Sequence, residues 1–198
     1  KFVSAAKKHL GNIKFDLELP ADLTERAREL RAALGENRFI WIAASTHEGE
    51  EEQILAAHQA LRKVAPDALL ILVPRHPDRF DSIAKLVEQS FAMVRRSQKT
   101  KVNPETAVYL GDTMGELVLL YGAVDVAFVG GSLIERGGHN ILEAAAFAKP
   151  LMTGPHVFNF AEITALFVDA QALKQVSDSQ ALADSLIKLY QEPGLRLE

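Results

Sequence analysis

Short apolar runs that alternate with helical patterns constrain the fold of this sequence more than any other feature. Each run is rich in Val, Ile, Leu and Phe, which is typical of a strand buried on both faces. Strands that alternate with helices form a parallel sheet covered on both sides. The predicted strands are 39–44, 69–73, 91–94, 107–110, 124–129 and 150–153. The pattern therefore predicts a doubly wound parallel sheet of the α/β class.

Residues with known capping preferences mark where the intervening helices begin and end. Asp22 and Glu25 have the spacing of a capping box, and the helix that they open is expected to stop at Gly35. A second helix is expected to begin near Glu48 and to end before Pro66. Further helices are predicted after Pro77, over 114–121, and from about Asn140, Asn159 and Asp178. The sequence has no internal repeat, so we predict one domain.

The composition is typical of a soluble globular domain. The chain has 198 residues, of which 48% are apolar and 24% charged, so it can bury one substantial core. It has no cysteine, and its longest apolar stretch, 117–131, is shorter than the ~20 residues that span a bilayer. These features predict a soluble domain in a reducing, cytoplasmic setting. Residues 1–10 are basic and lack an initiator methionine, and we expect a linker that leads into an excised domain.

The charge of the chain argues against nucleic acid as a partner. A formal net charge of −4 gives no general attraction for phosphate backbones. One local basic run, formed by Arg95, Arg96, Lys99 and Lys101, is expected to be a solvated loop. The alternative is that this run is the contact surface of a non-enzymatic α/β interaction module.

Several well-known catalytic motifs are absent from the sequence. Neither the G-x-G-x-x-G turn of dinucleotide-binding proteins nor the G-x-x-x-x-G-K-[ST] phosphate loop occurs. There is also no H-E-x-x-H pair and no G-x-S-x-G nucleophile elbow. A dehydrogenase, a P-loop enzyme and a metal site are therefore not predicted.

The segment 128–150 is the most informative loop region, because a buried strand runs there into two glycine pairs and then a helix. Glycines allow the backbone to approach a ligand closely, and a helix N-terminus attracts anions, so a phosphate is expected here. Asn140 and Glu143 also have the spacing of a capping box. Glu135 and Glu143 could instead bracket a nucleotide, with Glu143 accepting hydrogen bonds from ribose hydroxyls. His139 is either a phosphate donor or a structural residue.

Two further loops carry candidate ligand residues. In segment 71–80, Arg75 directly follows a strand, where its guanidinium can either pair with a phosphate or form a surface salt bridge. In segment 110–117, Met114 and Gly115 are suited to form a flat apolar surface for a base. Capping alone explains the neighbouring Thr113 and Glu116, but not a glycine in the first helical turn.

The loop 43–52 carries an acidic run that is expected to be a solvated helix face. Its charges would repel a bound phosphate, so we do not predict the phosphate site here. Ser45, Thr46 and His47 are instead expected to face a sugar.

Taken together, six motifs resemble those of the Kdo (3-deoxy-D-manno-octulosonic acid) transferases of lipopolysaccharide synthesis. They occur in the same order along nearly the whole chain, which makes the resemblance more specific than any single glycine pattern. The motifs are GNIKFD from Gly11, ASTHEGEE from Ala44, LVPRHPDRF from Leu72, GDTMGEL from Gly111, FVGGSLIERGGHN from Phe128 and TGPHVFNF from Thr153.

The resemblance implies a GT-B glycosyltransferase, built from two Rossmann-like domains that face each other across a cleft. This chain is similar to the C-terminal, donor-binding domain of that family. Residues 1–15 would then be the interdomain linker and 16–198 the domain that binds CMP-Kdo or CMP. The N-terminal domain, which holds the lipid A precursor and the membrane anchor, has no counterpart in this sequence. The whole protein would act at the cytoplasmic face of the bacterial inner membrane, and the domain itself would be soluble.

The resemblance also implies which residues bind the donor. Contacts with CMP are expected at matching positions in three segments, to which we add the adjacent Thr113, Gly138 and His139. The predicted donor site comprises Pro74, Arg75, Thr113, Met114, Gly115, Glu116, Gly138, His139, Asn140, Ile141, Leu142 and Glu143. Ile141 stands where the family usually has proline, a residue suited to the first helical turn. This difference is expected to leave Asn140 and Glu143 in place.

The resemblance implies that this chain holds no catalytic residue of its own. The general base of the family is a glutamate of the acceptor domain, and the reaction inverts the anomeric centre without a metal ion or cofactor. We therefore expect the isolated chain to be inactive. Besides the interaction module, a donor domain that uses a UDP-sugar remains an alternative, because other GT-B enzymes share the two glutamates.

Overall fold

A parallel sheet with helices on both faces forms the framework of the computed structural model, which describes residues 21–196. Within those residues the sheet has seven strands in the order β3-β4-β2-β1-β5-β6-β7. The strands are β1 (Ile40–Thr46), β2 (Leu69–Pro74), β3 (Met93–Arg95), β4 (Val108–Leu110), β5 (Val126–Val129), β6 (Leu151–Thr153) and β7 (Lys174–Gln175). The predicted doubly wound, Rossmann-like fold is confirmed, and β7 is a short edge strand that the apolar pattern does not reveal.

Helices connect the strands and lie against both faces of the sheet. They are α1 (Ala21–Gly35), α2 (Glu51–Arg62), α3 (Phe80–Glu88), α4 (Leu117–Gly122), α5 (Leu142–Ala145), α6 (Ala161–Asp169) and α7 (Ser179–Gln191). None of the helices in the described part of the chain combines the length and the apolarity that crossing a membrane requires. The predicted linker at 1–15 and the GNIKFD motif lie outside the described residues.

Helix starts differ from the sequence prediction at several positions. Asp22 lies inside the first turn of α1 rather than at its cap. Asn140 does not form a capping box with Glu143, because α5 begins at Leu142 and the side-chain oxygen of Asn140 accepts from the Leu142 backbone N–H at 3.0 Å. Asp178 does cap α7, since its carboxylate accepts from the backbone N–H three residues on, at 2.8 Å.

The two faces of the sheet build two apolar layers from alternating residues of the same strands. In β1, Trp41 and Ala43 pack with α2, α3 and α7. Ile40, Ile42 and Ala44 point the other way and pack with α1, α4 and α6. Successive strand residues face opposite sides, and here both sides are covered. This explains why the central strands are apolar at every position rather than at every second one.

His58 is a buried polar group within the first of these layers. Trp41 donates its indole N–H to Nδ1 of His58 at 3.1 Å, and Nε2 of His58 donates to the Ala107 carbonyl at 2.9 Å. Both ring nitrogens are therefore used by the neutral form of the side chain. Burial lowers the pKa of His58 from its ordinary value to about 3.

We expect His58 to make the fold less stable as pH falls from about 6.5 towards 3. The unfolded chain takes up this proton near pH 6.5, whereas the folded chain does so only near its lowered pKa of about 3. One such group changes the free energy of unfolding by at most about 1.4 kcal/mol per pH unit. Urea unfolding at several pH values should show a shallower decline for His58→Gln than for the wild type. Equal slopes for the two proteins would contradict the assignment.

Candidate functional site

The loops predicted to bind a ligand lie together at the carboxyl edge of the sheet. They follow β4, β2, β1 and β5, which are consecutive neighbours in the sheet. A Cβ atom on Gly130 would lie 3.0 Å from the Ala44 and Ser45 carbonyl oxygens, so a larger residue would have to push the backbone of β1 away where β5 ends against it. Ligands of doubly wound folds bind at this edge.

The end of β1 is irregular and is held from both sides. The register with β2 shifts between Ala44 and Thr46, and Ser45 in between has a left-handed φ of 57°. The Arg75 N–H donates to the Thr46 carbonyl at 2.9 Å, and the Gly130 N–H donates to the Ala44 carbonyl at 2.7 Å. A strained, non-glycine residue held by its surroundings is typical of functional loops.

Glu50 is fully buried, although it belongs to the acidic run predicted to be solvated. Its carboxylate accepts four backbone N–H groups. These come from His47 at 3.0 Å, Gly131 at 2.6 Å, and Ser132 and Leu133 at 2.9 Å each. The carboxylate therefore fastens the loop after β1 to the loop after β5.

Glu51 is also fully buried, so the prediction of a solvated acidic face is wrong at both positions. Arg79 pairs with its two oxygens at 2.7 and 3.1 Å. The Thr46 hydroxyl donates to the same carboxylate at 2.9 Å. Thr46 is itself fully buried, so its side chain is enclosed beneath the strand end rather than exposed to a sugar.

The first glycine pair after β5 does not offer an open anion site. The N–H groups of Gly131, Ser132 and Leu133 already donate to Glu50. The second pair turns the chain back, with positive φ angles of 89° at Gly137 and 75° at Gly138. The Gly138 N–H donates to the Gly131 carbonyl at 2.7 Å, which closes the loop and leads directly to residue 139.

Three histidines from three different loops meet at this edge. Nε2 of His47 and Nε2 of His139 lie 2.7 Å apart, with nearly parallel rings, and His76 stands edge-on to His47 with ring centroids 5.3 Å apart. Burial lowers the pKa of His139 to about 4, with further lowering by His47 and Arg75. Burial likewise lowers the pKa of His47. Both imidazoles are therefore neutral at pH 7, and one donates its Nε2–H to the other.

Arg75 is exposed beside this histidine group. Within residues 21–196 its guanidinium forms no hydrogen bond or ion pair, so the surface salt bridge considered from the sequence is not found among them. Pro74, directly before it, is buried and pairs with Thr46 in the sheet. The positive charge of Arg75 contributes to the lowered pKa of His139.

The loop after β4 projects an apolar tip. The Met114 side chain is 64% exposed, and a Cβ on Gly115, whose φ is 75°, would meet open space. Helix α4 begins only at Leu117, so the predicted start at Met114 is wrong. Gly115 therefore precedes the helix in a left-handed turn, which answers why a glycine stands there. Glu116 is the N-cap residue, and its carboxylate accepts from Thr113 rather than capping the helix.

The basic run that begins at Arg95, the last residue of β3, is not a solvated loop at its first two positions. Arg95 pairs with Asp112 at 2.7 Å, and Arg96 pairs with Glu116 at 2.6 Å. The sequence does not reveal these pairs, because they depend on β3 lying beside β4. Lys99 is exposed, as is Lys101.

The residues around α5 directly follow His139 in the chain. Asn140 is exposed, Leu142 and Glu143 are half-buried, and Ile141 is buried in the second apolar layer. Burial raises the pKa of the Tyr121 hydroxyl, and the charge of Glu143 raises it further. Glu135 is exposed on the connecting loop. Among the described residues, no group of three or more His, Asp or Glu is arranged to hold a metal ion.

The chain is similar in sequence and in fold to known proteins. The profile of the glycosyl transferases group 1 matches residues 24–198. The chain belongs to this family. The C-terminal CMP-Kdo binding domain of WaaA from Acinetobacter baumannii is similar in structure, with a TM-score of 0.83 and 38% identity. That match covers 88% of this chain and 92% of that one.

Two curated relatives are named 3-deoxy-D-manno-octulosonic acid transferase. The relative from Haemophilus influenzae is 49% identical over 177 residues, covering 89% of this chain and 41% of that protein. The relative from Bordetella pertussis is 38% identical over 191 residues, covering 94% and 44%. The resemblance to Kdo transferases is thereby confirmed, and the chain spans less than half the length of these relatives.

In this glycosyltransferase domain we expect Glu50 to be essential for stability. Glu50→Gln replaces one acceptor oxygen by an amide that cannot accept, which leaves buried N–H groups without a partner. We expect the free energy of unfolding to fall by about 2–4 kcal/mol. Urea unfolding measures the change. Glu52→Gln, an exposed position two residues further on, should stay within about 0.5 kcal/mol of the wild type. Equal stability of the two variants would contradict the role of the buried carboxylate.

Proposed function

We propose that this chain is the donor-binding domain of a Kdo transferase, which moves Kdo from CMP-Kdo to a lipid A precursor. One observation carries the proposal: Arg75 is exposed and without a partner among the described residues, beside a neutral histidine pair at the ligand edge of the sheet. The similarity to a domain named for CMP-Kdo binding supports the same donor.

In the proposed binding mode the phosphate lies between Arg75 and the segment 138–143. A guanidinium offers two parallel N–H donors to phosphate oxygens, and the imidazole that accepts within the His47–His139 pair keeps one N–H, on Nδ1. Asn140, which is exposed, and Glu143, which is half-buried, belong to this segment and are further proposed contacts. Ser45 and His47 are the candidates for contacts with the sugar, and Thr46 is left out because its hydroxyl is buried on Glu51.

The base and ribose are proposed to lie against the loop 113–116. Its exposed Met114 provides a polarisable apolar surface, and Gly115 lets the backbone approach a flat ring closely. Pro74 is buried and would contribute through its main chain. Met114 and Arg75 follow β4 and β2, which are adjacent strands.

The chemistry proposed for this domain is stabilisation of the leaving group. The acceptor hydroxyl oxygen attacks the anomeric carbon and loses its proton to a base, which the resemblance assigns to the acceptor domain. The bond from that carbon to the CMP phosphate oxygen breaks, and its electron pair stays on the phosphate. We propose that Arg75 and the free Nδ1–H of the histidine pair stabilise this charge, in a reaction that includes no metal ion. Its acceptor is a lipid, so we propose that the whole protein acts at the cytoplasmic face of the bacterial inner membrane.

A donor domain for a UDP-sugar is the second candidate, because the matched family is broader than Kdo transferases. Calorimetric titration of CMP, UMP and UDP into the purified chain separates the two. The proposal expects CMP to bind most tightly. Tighter binding of UDP would favour the second candidate. The interaction module loses support, because Arg95 and Arg96 are used in internal ion pairs.

Arg75→Ala is expected to weaken CMP binding about ten- to a hundredfold. A hydrogen bond to a charged group contributes roughly 1.5–3 kcal/mol, which corresponds to that range. Arg75→Lys should recover only part, because it keeps the charge but loses the two-pronged geometry. Calorimetry at one fixed salt concentration measures the three affinities.

The matched control is Arg28→Ala, which removes an exposed arginine from α1 and should bind CMP like the wild type. Circular dichroism checks the folding of each variant. If Arg75→Ala binds CMP as tightly as the control does, Arg75 is not a ligand residue.

The purified chain alone is expected to form no Kdo-lipid, however much CMP-Kdo and lipid acceptor are supplied. The proposed reaction needs a base and an acceptor surface from another domain. Chromatography of the lipid products measures the transfer. As a positive control, the acceptor domain of a relative is added as a separate chain. Protein-dependent Kdo-lipid from this chain alone would contradict the proposed division of roles.

A further inference from the structure

Arg96 holds the loop 113–116, which is proposed to bind the base, through the side chain of Glu116. Nε of Arg96 donates to one oxygen of Glu116 and Nη2 to the other, both at 2.6 Å. Nη1 of the same guanidinium donates to the Tyr109 hydroxyl at 3.0 Å. The hydrogen bonds from Arg96 hold the pKa of Glu116 at about 2, so this carboxylate is ionised at physiological pH.

A second anchor lies at the other end of the same loop. The side chain of Asp112 is 1% exposed and accepts from Nε of Arg95 at 2.7 Å. It also accepts from the backbone N–H and the hydroxyl of Ser97, at 2.9 and 2.5 Å. Both ends of the loop are thus held by residues 95–97, at the end of β3 and directly after it, and Met114 and Gly115 lie between the two anchors.

The side chain and the main chain of Glu116 have different roles. One carboxylate oxygen accepts from Arg96 alone, and the other accepts from both Arg96 and Thr113. With its bonds directed into the protein, the carboxylate is engaged before any ligand arrives. Ligand contacts from this loop are then left to Met114 and to the backbone.

We infer that Arg96 is a positioning residue for nucleotide binding, which acts through Glu116 to shape the loop 113–116 and does not touch the ligand. The inference rests on the proposed function and deepens it, because it assigns the base end of a pyrimidine nucleoside monophosphate to a loop with a preset shape. A loop held in its bound form before binding loses less conformational entropy when the ligand arrives. Arg75 pairs with the phosphate, whereas Arg96 fixes the conformation of the loop that contacts the base.

A double-mutant cycle on CMP affinity tests this assignment. Arg96→Ala and Glu116→Ala should each weaken CMP binding about tenfold, and the double variant should bind no more weakly than either single variant, within a factor of about two. Residues that act as one unit show such non-additivity. Arg96→Lys should recover only part of the affinity, because lysine cannot hold both oxygens in a fixed fork. Lys99→Ala, an exposed position three residues on, is the matched control and should change nothing.

The salt dependence of CMP binding distinguishes the loss of one positioning contact from a general loss of structure, which would change the salt dependence as well. Arg96→Ala should lower the affinity but keep the wild-type salt dependence, since the contact with phosphate is unchanged. Arg75→Ala should lower both the affinity and its dependence on salt. Wild-type affinity in Arg96→Ala would overturn the inference. So would a further tenfold loss when Glu116→Ala is added to Arg96→Ala, because Glu116 would then contact the ligand itself. If the wild-type chain binds no CMP, the proposed function fails first, which distinguishes the two failures.

Discussion

The ligand edge of this domain depends on one buried carboxylate, that of Glu50. Its four backbone N–H donors come from the loops after β1 and β5, so it joins two connections that are far apart in sequence. Ser132 extends this joined segment further. Its carbonyl accepts from the His156 N–H, and its hydroxyl donates to the Val129 carbonyl. A Cβ on Gly154 would lie 2.1 Å from the Ser132 carbonyl oxygen, so the loop after β6 packs directly on the clamped segment.

The charges at this edge fall into two groups with different roles. Glu50, Glu51 and Asp112 are buried and have donors inside the protein, and Arg96 is held in a two-pronged ion pair. Arg75 differs from them because it is exposed and, in the described part of the chain, has no partner. A guanidinium that has no partner inside the protein has its N–H donors available to bind an anion. The internal ion pairs therefore shape this edge, and Arg75 is the cation that we propose for the ligand.

The predicted fold agrees with the structure because burial on both faces leaves a plain signal in the sequence. A strand between two helical layers must be apolar at each position, so β1, β2 and β5 stand out as continuous runs. The two-residue β7 lies at the sheet edge with both residues exposed, and it gives no such signal. Helix starts were less predictable. The Gly115 turn and the Asn140 side chain satisfy the backbone locally, and the helices begin after them.

By itself, the sequence determined the parallel α/β framework, the loops that meet at its ligand edge and the resemblance to Kdo transferases, because periodicity, glycine positions and motif order are local properties of the chain. Only the tertiary structure decided which charged residues are free. An acidic run looks solvated until Glu50 meets the N–H groups some 81 to 83 positions later. A basic run looks solvated until β3 aligns with β4 and brings Arg96 to Glu116. Whether a charge binds a ligand or holds the protein together depends on partners distant in sequence, and folding alone brings those partners together.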